Sequence, residues 1–144
     1  GSSPNNVPGR CTLTIDRRLL PGEEPEQAKE HIRAVLEHVA AEHGTDYEIV
    51  ERALFVPTEI APDSEIVLAT QDATEFSIGR RAEIKGMGGS TDARFLIGAG
   101  VPTVIFGPGH ASEAHTINES IAVDDLRRGA IAYAAIICRF LGVR

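Results

Sequence analysis

From Cys11 to Arg17 apolar and polar positions alternate: Cys11, Leu13 and Ile15 share one side, Thr12, Thr14 and Asp16 the other. A period of two predicts a half-buried strand of an antiparallel or mixed sheet. The stretch LLPGEEPEQ breaks that pattern and reads as a loop. Pro25 suits a first helical turn, and Glu23, Glu24 and Glu26 gather at the positive end of the helix dipole. Beyond it Ala28, Ile32, Val35, Leu36 and Val39 recur at helical spacing as far as His43, and Gly44 supplies a stop. YEIVERALFV, residues 47–56, then predicts a second strand that ends at Pro57. Strand, helix and strand in this order make half of a ferredoxin-like sandwich.

The composition changes at residues 58–66, which read as a crossover into a second unit. Residues 63–78 predict a helix, capped by Asp63 or Ser64, with Ile66, Val67, Leu68 and Phe76 on its apolar side. KGMGGSTDAR is a Gly-rich turn feeding a short helix in DARFLIGAG. VPTVIF, residues 101–106, is a compact apolar run of the kind buried on both faces of an α/β sheet. A Gly/Pro loop follows, GPGHASEAHTINES over 107–120. The last helix is expected from Asp124 or Asp125 to Leu141. It is apolar on two sides, with Leu126, Ala130, Tyr133, Ile137 and Leu141 on one and Ile131, Ala135 and Cys138 on the other. Such a helix needs cover from two sides.

Composition narrows the function classes. The chain is 42% hydrophobic and 24% charged, the balance of a globular domain and not of a disordered tail. Its 14 Lys and Arg against 21 Asp and Glu give a net charge of -7, and no basic cluster interleaves with aromatics. A nucleic-acid surface is not expected. The longest apolar run, GAIAYAAIIC, is too short to span a bilayer and reads as a buried helix, so no membrane role is expected. The opening GSSPNN lacks the basic-then-apolar order of a secretory signal. Two cysteines are too few for a disulfide framework, and both are expected to be reduced and buried. The location expected is cytoplasmic.

Four stretches carry candidate chemistry, each with a plain structural alternative. His115 sits in a loop past a strand-like run, where α/β proteins build their sites, and neutral imidazole is a common ligand of zinc-like ions. A surface histidine is the alternative, because His110, Glu113, His115 and Glu119 match no self-contained ligand spacing. His31, His38 and His43 lie on the first helix without an H-E-x-x-H pattern, and a solvated face accounts for them. In GMGGSTDAR the glycines let backbone N–H groups approach an anion, and Arg94 is suited to a bidentate carboxylate pair. The alternative there is a turn with Asp92 as a helix cap. In DRR, Arg18 either guards a sheet edge or reaches a carboxylate across an interface. No Ser–His–Asp or Cys–His nucleophile arrangement can be assembled, and Cys138 lies within an apolar helix.

Taken together, NNVPGRCTLTIDRRLLPGE, GGSTDARFLIGAGVPTVIFGPG and AHTINESIAVDDL resemble the carboxyl-terminal half of the zinc-dependent aminoacylases and exopeptidases. That family includes succinyl-diaminopimelate desuccinylase, acetylornithine deacetylase, aminoacylase and carboxypeptidase G. The resemblance runs from about Asn5 to Gly142. It implies an α/β (α+β) fold: half of a ferredoxin-like lid and dimerisation domain over 1–58, then the carboxyl-terminal part of an α/β catalytic domain over 59–144. It also implies two zinc ions in a complete family member, with His115 as the last metal ligand. Ser90 and Arg94 inherit the role of meeting the substrate carboxylate, and Gly109 and His110 lie in a loop beside the substrate. Asn5 matches an asparagine that reaches the partner subunit's active site, and Arg18 matches a substrate-side arginine of the lid. The general base and the remaining ligands match no part of this chain. The expectation is therefore a truncated amide hydrolase for N-acyl amino acids or small peptides, inactive alone and without a catalytic residue of its own. The alternative is a non-catalytic dimerisation module, and a homodimer through the lid half is expected on either reading.

Overall fold

The computed structural model describes residues 3–143. Among them four helices form: α1 over Pro25–His43, α2 over Glu65–Ile78, α3 over Ala93–Gly98 and α4 over Val123–Leu141. The expected α/β fold, a half ferredoxin-like sandwich followed by part of an α/β catalytic domain, is corrected here. Among the described residues there is no strand and no sheet. Residues 11–17, 47–56 and 101–106 run without regular structure because their backbone groups find no ladder partner. An alternating pattern supplies only the side-chain half of a sheet. Two runs without a third strand or a packed face are marginal in water, and parallel-type runs need neighbours on both sides.

The chain divides into two compact units, Gly1–Leu54 and Phe55–Arg144. In the first, α1 starts with Pro25 in its first turn and ends at Gly44, whose φ of 63° carries the chain into the left-handed region that favours glycine. The N–H groups of Gly44 and Thr45 both donate to the Ala40 carbonyl. The loop before α1 closes on Glu23: its carboxylate accepts from the Leu20 N–H at 2.8 Å and pairs with Arg17 at 3.2 Å. Residues 48–51 are tied by charge and not by backbone. Glu51 pairs with Lys29 at 2.9 Å and Arg33 at 3.2 Å, and Glu48 with Arg10 at 3.5 Å. Ala28 is the one buried residue of α1, while Val35 and Val39 are exposed.

In the second unit α2 packs on α4, the one helix pair in contact among the described residues. The buried residues of the two helices are mostly small: Val67, Ala69, Thr70, Ala73 and Thr74 on α2, Gly129 and Ala132 on α4. Small residues let two helix axes approach closely, which offsets the modest apolar area each one buries. Asp72 of α2 pairs with Arg81 at 3.2 Å and with Arg139 of α4. Side chains of α2 also do the work of a missing ladder. Gln71 Nε2 donates to the Ala82 carbonyl at 2.9 Å, and the Ala82 N–H donates to Thr74 Oγ1 at 3.1 Å. Likewise the Tyr133 hydroxyl donates to the Phe106 carbonyl at 2.6 Å while the two rings meet edge to face at 5.3 Å.

Three further expectations change. Residues 101–106 are not buried on both faces, since Val101 and Ile105 stand about half exposed. The final helix is bare along most of its apolar positions, with Gly129 and Ala132 its buried residues. Both cysteines are free, as expected, yet exposed and not buried. Among the described residues no helix is long and apolar enough to cross a membrane.

Candidate functional site

The Gly-rich turn is organised by Arg94, at the start of α3. Its Nη1 donates to Ser90 Oγ at 2.5 Å and to the Thr91 carbonyl at 3.0 Å. The reason is local: Ser90 and Arg94 are four residues apart across a turn that bends the chain back into the helix. Asp92 takes the N-cap position of α3 but makes no side-chain cap hydrogen bond. A missing cap bond leaves the Asp92 carboxylate without the structural job assigned to it by the alternative reading.

The histidine loop is built by hydrogen bonds among its own members. Glu113 N–H donates to the His110 carbonyl at 3.0 Å, and Thr116 Oγ1 donates to the Glu113 carbonyl at 2.8 Å. The Glu113 carboxylate accepts from Ser120 Oγ at 3.1 Å. The Glu119 carboxylate accepts from the backbone N–H of His115 at 2.9 Å. Both carboxylates are thus committed to the loop. His115 is the non-glycine residue with a left-handed backbone among the described residues, at φ 65°. An L side chain there is held against a local preference, a feature that clusters at functional positions.

Gly109 opens the same loop with φ 101°, beside Ile121. Pro108 lies against α4 so closely that a Cβ on Gly129 would meet its ring at 2.9 Å. The GPG loop is therefore seated on the helix through a glycine that sequence spacing did not single out. His110 and His115 are both exposed.

The remaining two candidates belong to the first unit. Asn5 Oδ1 accepts a hydrogen bond from Ser3 Oγ. Arg18 pairs with Asp16 at 2.7 Å, and the hydrogen bond to that carboxylate, then its charge, raises the guanidinium pKa above its ordinary value. Arg18 is accordingly charged at any physiological pH. The structure joins Ser90 with Arg94 directly, and sets Gly109, His110 and His115 in one loop.

Zinc sites need three or four donors converging on one point. Among the described residues no group of three His, Cys, Asp or Glu side chains converges to hold a metal ion. With Glu113 and Glu119 turned to the loop's own N–H and O–H groups, His115 offers a single ligand. The described residues do not by themselves fit a zinc centre, and no step is routed through one.

Residues 4–139 match the peptidase family M20/M25/M40. The succinyl-diaminopimelate desuccinylase of Thioalkalivibrio sulfidiphilus is 31% identical over 137 residues, covering 95% of this chain and 35% of the relative. That of Acinetobacter baylyi is 33% identical over 137 residues, with the same coverage of 95% and 35%. The uncharacterized protein YqjE of Bacillus subtilis is 30% identical over 137 residues, 95% of this chain and 36% of its own length. The chain spans about a third of the length of these relatives. No solved structure matches it significantly. With nearly the whole chain matched, and with the Gly-rich turn and the histidine loop both inside the match, the chain belongs to the peptidase family M20/M25/M40.

Proposed function

We propose that this chain is the carboxyl-terminal part of a metal-dependent hydrolase that cleaves the amide bond of N-acyl amino acids or small peptides. Residues 1–58 would belong to a lid and dimerisation domain and 59–144 to the catalytic domain. The observation that carries the substrate side is the Arg94 turn: Ser90 and Thr91 fix one nitrogen of the guanidinium and leave the others to a ligand. A guanidinium so held suits the carboxylate of an amino-acid product or substrate. Gly109 and His110 would border the substrate, Arg18 would be a substrate-side arginine of the lid, and Asn5 would reach the partner subunit's active site. His115 would supply one ligand of a zinc site completed elsewhere, and its left-handed backbone supports a role beyond packing. Taken alone, the chain would be inactive as a hydrolase. Two free thiols fit a reducing compartment and support a cytoplasmic location.

Calorimetric zinc titration of the purified chain, beside a His115→Ala variant, tests this reading. Weak or absent binding in both is the expected result, together with no hydrolysis of N-succinyl or N-acetyl amino acids above background. Tight binding that disappears in the variant would overturn the incomplete site.

A second reading, a dimerisation module without chemistry, is favoured by a separate observation. The alternating run at 11–17 and the apolar run at 47–56 form no ladder, and Leu13, Ile15 and Val50 are exposed. Unpaired extended runs of this kind are open to pairing with another copy. The two readings are compatible in one molecule.

A further inference from the structure

Two aromatic faces accompany the guanidinium of Arg94. Its Cζ lies 4.3 Å from the centroid of the Phe55 ring and 4.4 Å from that of Phe95, over both rings. Phe55 and Phe95 form no ring pair with each other; the aromatic pair among the described residues is Phe106 with Tyr133. Each ring therefore gives its face to the cation. A guanidinium is planar, and all its donors lie in its plane. The Nη1 protons go to Ser90 Oγ and the Thr91 carbonyl. The two rings lie within cation–π reach of the guanidinium and take no part in those hydrogen bonds. What remains in the plane is the edge formed by Nε and Nη2, whose parallel N–H bonds match the two oxygens of a carboxylate.

We propose that Phe55 and Phe95 are positioning residues for carboxylate recognition: they hold the Arg94 guanidinium flat, so that its Nε–Nη2 edge meets the incoming carboxylate as a fork. The inference rests on the reading of the Gly-rich turn as the substrate-carboxylate site. Side-chain entropy is the quantity at stake, because an arginine free to rotate loses more freedom on binding than one already held. Both rings also shed water from around the cation, which strengthens its remaining hydrogen bonds. Phe55 is 52% exposed and Phe95 64% exposed, so neither contributes to the α2–α4 seam and either can be shortened without opening it.

The test uses the intact chain, isotope-labelled for NMR, with succinate as the probe and chloride at matched ionic strength as the control. In the unmodified chain the Arg94 Nε–Hε signal is expected to move saturably with succinate and not with chloride. Its side-chain protons are expected upfield, shifted by the two ring currents. Phe55→Leu and Phe95→Leu should each lose part of that upfield shift and weaken succinate binding about two- to five-fold. Phe55→Tyr and Phe95→Tyr, which keep an aromatic face, should restore both. Leucine variants that lose the ring-current shift yet bind succinate as tightly would overturn the positioning role and leave the carboxylate site standing. An Arg94 signal indifferent to succinate in the unmodified chain would overturn the carboxylate reading, and this proposal with it.

Discussion

His115 combines two facts that neither packing nor turn chemistry requires together: an imidazole side chain and a left-handed backbone at φ 65°. A position chosen only for its turn would carry glycine or asparagine, which reach that region at little cost. The strain gives a direct measurement. In ordinary helical or extended backbone, Ala is at least as stabilising as Gly, because Gly loses more freedom on folding. At a left-handed position the order reverses, so His115→Gly should be more stable than His115→Ala by about 1 kcal/mol. Paired urea melts of the two variants check this, and equal midpoints would remove the strain argument for a functional histidine. Ser64 shows the opposite case, a residue whose apparent job is not performed. It occupies the N-cap of α2, yet its hydroxyl makes no cap bond and is buried without a partner.

At the scale of elements, the contact of the GPG loop with α4 ties the candidate site to the one packed seam. Gly129 is buried, and a methyl group there would sit 2.9 to 3.2 Å from three carbons of the Pro108 ring. Gly129→Ala therefore sets two effects against each other. Helix propensity favours Ala by about 1 kcal/mol, while overpacking costs about 1 to 3 kcal/mol. Proline cannot swing aside as a flexible side chain would, so the second effect should win. Net destabilisation of about 1 kcal/mol is expected, with the NMR signals of residues 107–110 displaced; a stabilised variant would show that the loop yields freely. These elements were unevenly legible in the sequence. The helices were readable within a few residues, because Pro25, Gly44 and the spacing of Ala28 to Val39 act locally. The runs at 11–17, 47–56 and 101–106 carried strand patterns but no statement of their partners, and a ladder is a property of pairs. Arg94, Ser90 and His115 stood out by residue type and motif. Phe55 did not, since nothing in one sequence relates it to a turn more than thirty residues later, although Phe95 is adjacent to Arg94.

For the molecule as a whole, the decisive quantity is how little apolar surface each unit hides. Among the described residues the buried hydrophobic ones are Ala28, Val67, Ala69, Ala73 and Ala132, and none of the larger side chains is fully buried. Leu13 and Phe76 are each 77% exposed, and many other large apolar side chains are open as well. Exposed apolar surface of this extent marks contact with something else. Surface ion pairs such as Lys29 with Glu51 cannot replace it, since an exposed pair contributes about 0–1 kcal/mol. The proposed homodimer follows if the uncovered runs of the first unit find each other, edge to edge, in two copies. Sedimentation velocity over a hundredfold range of concentration should then show a reversible rise from monomer to dimer. Val50→Lys places a charge in the apolar run at 47–56, which should shift the molecule toward monomer at every concentration by disfavouring edge pairing. The same substitution should leave zinc behaviour and the Arg94 response to succinate unchanged, because Val50 lies in a different unit from both. A monomer independent of concentration would rule out self-pairing, and the exposed runs would then have to be covered by something other than a second copy of this chain.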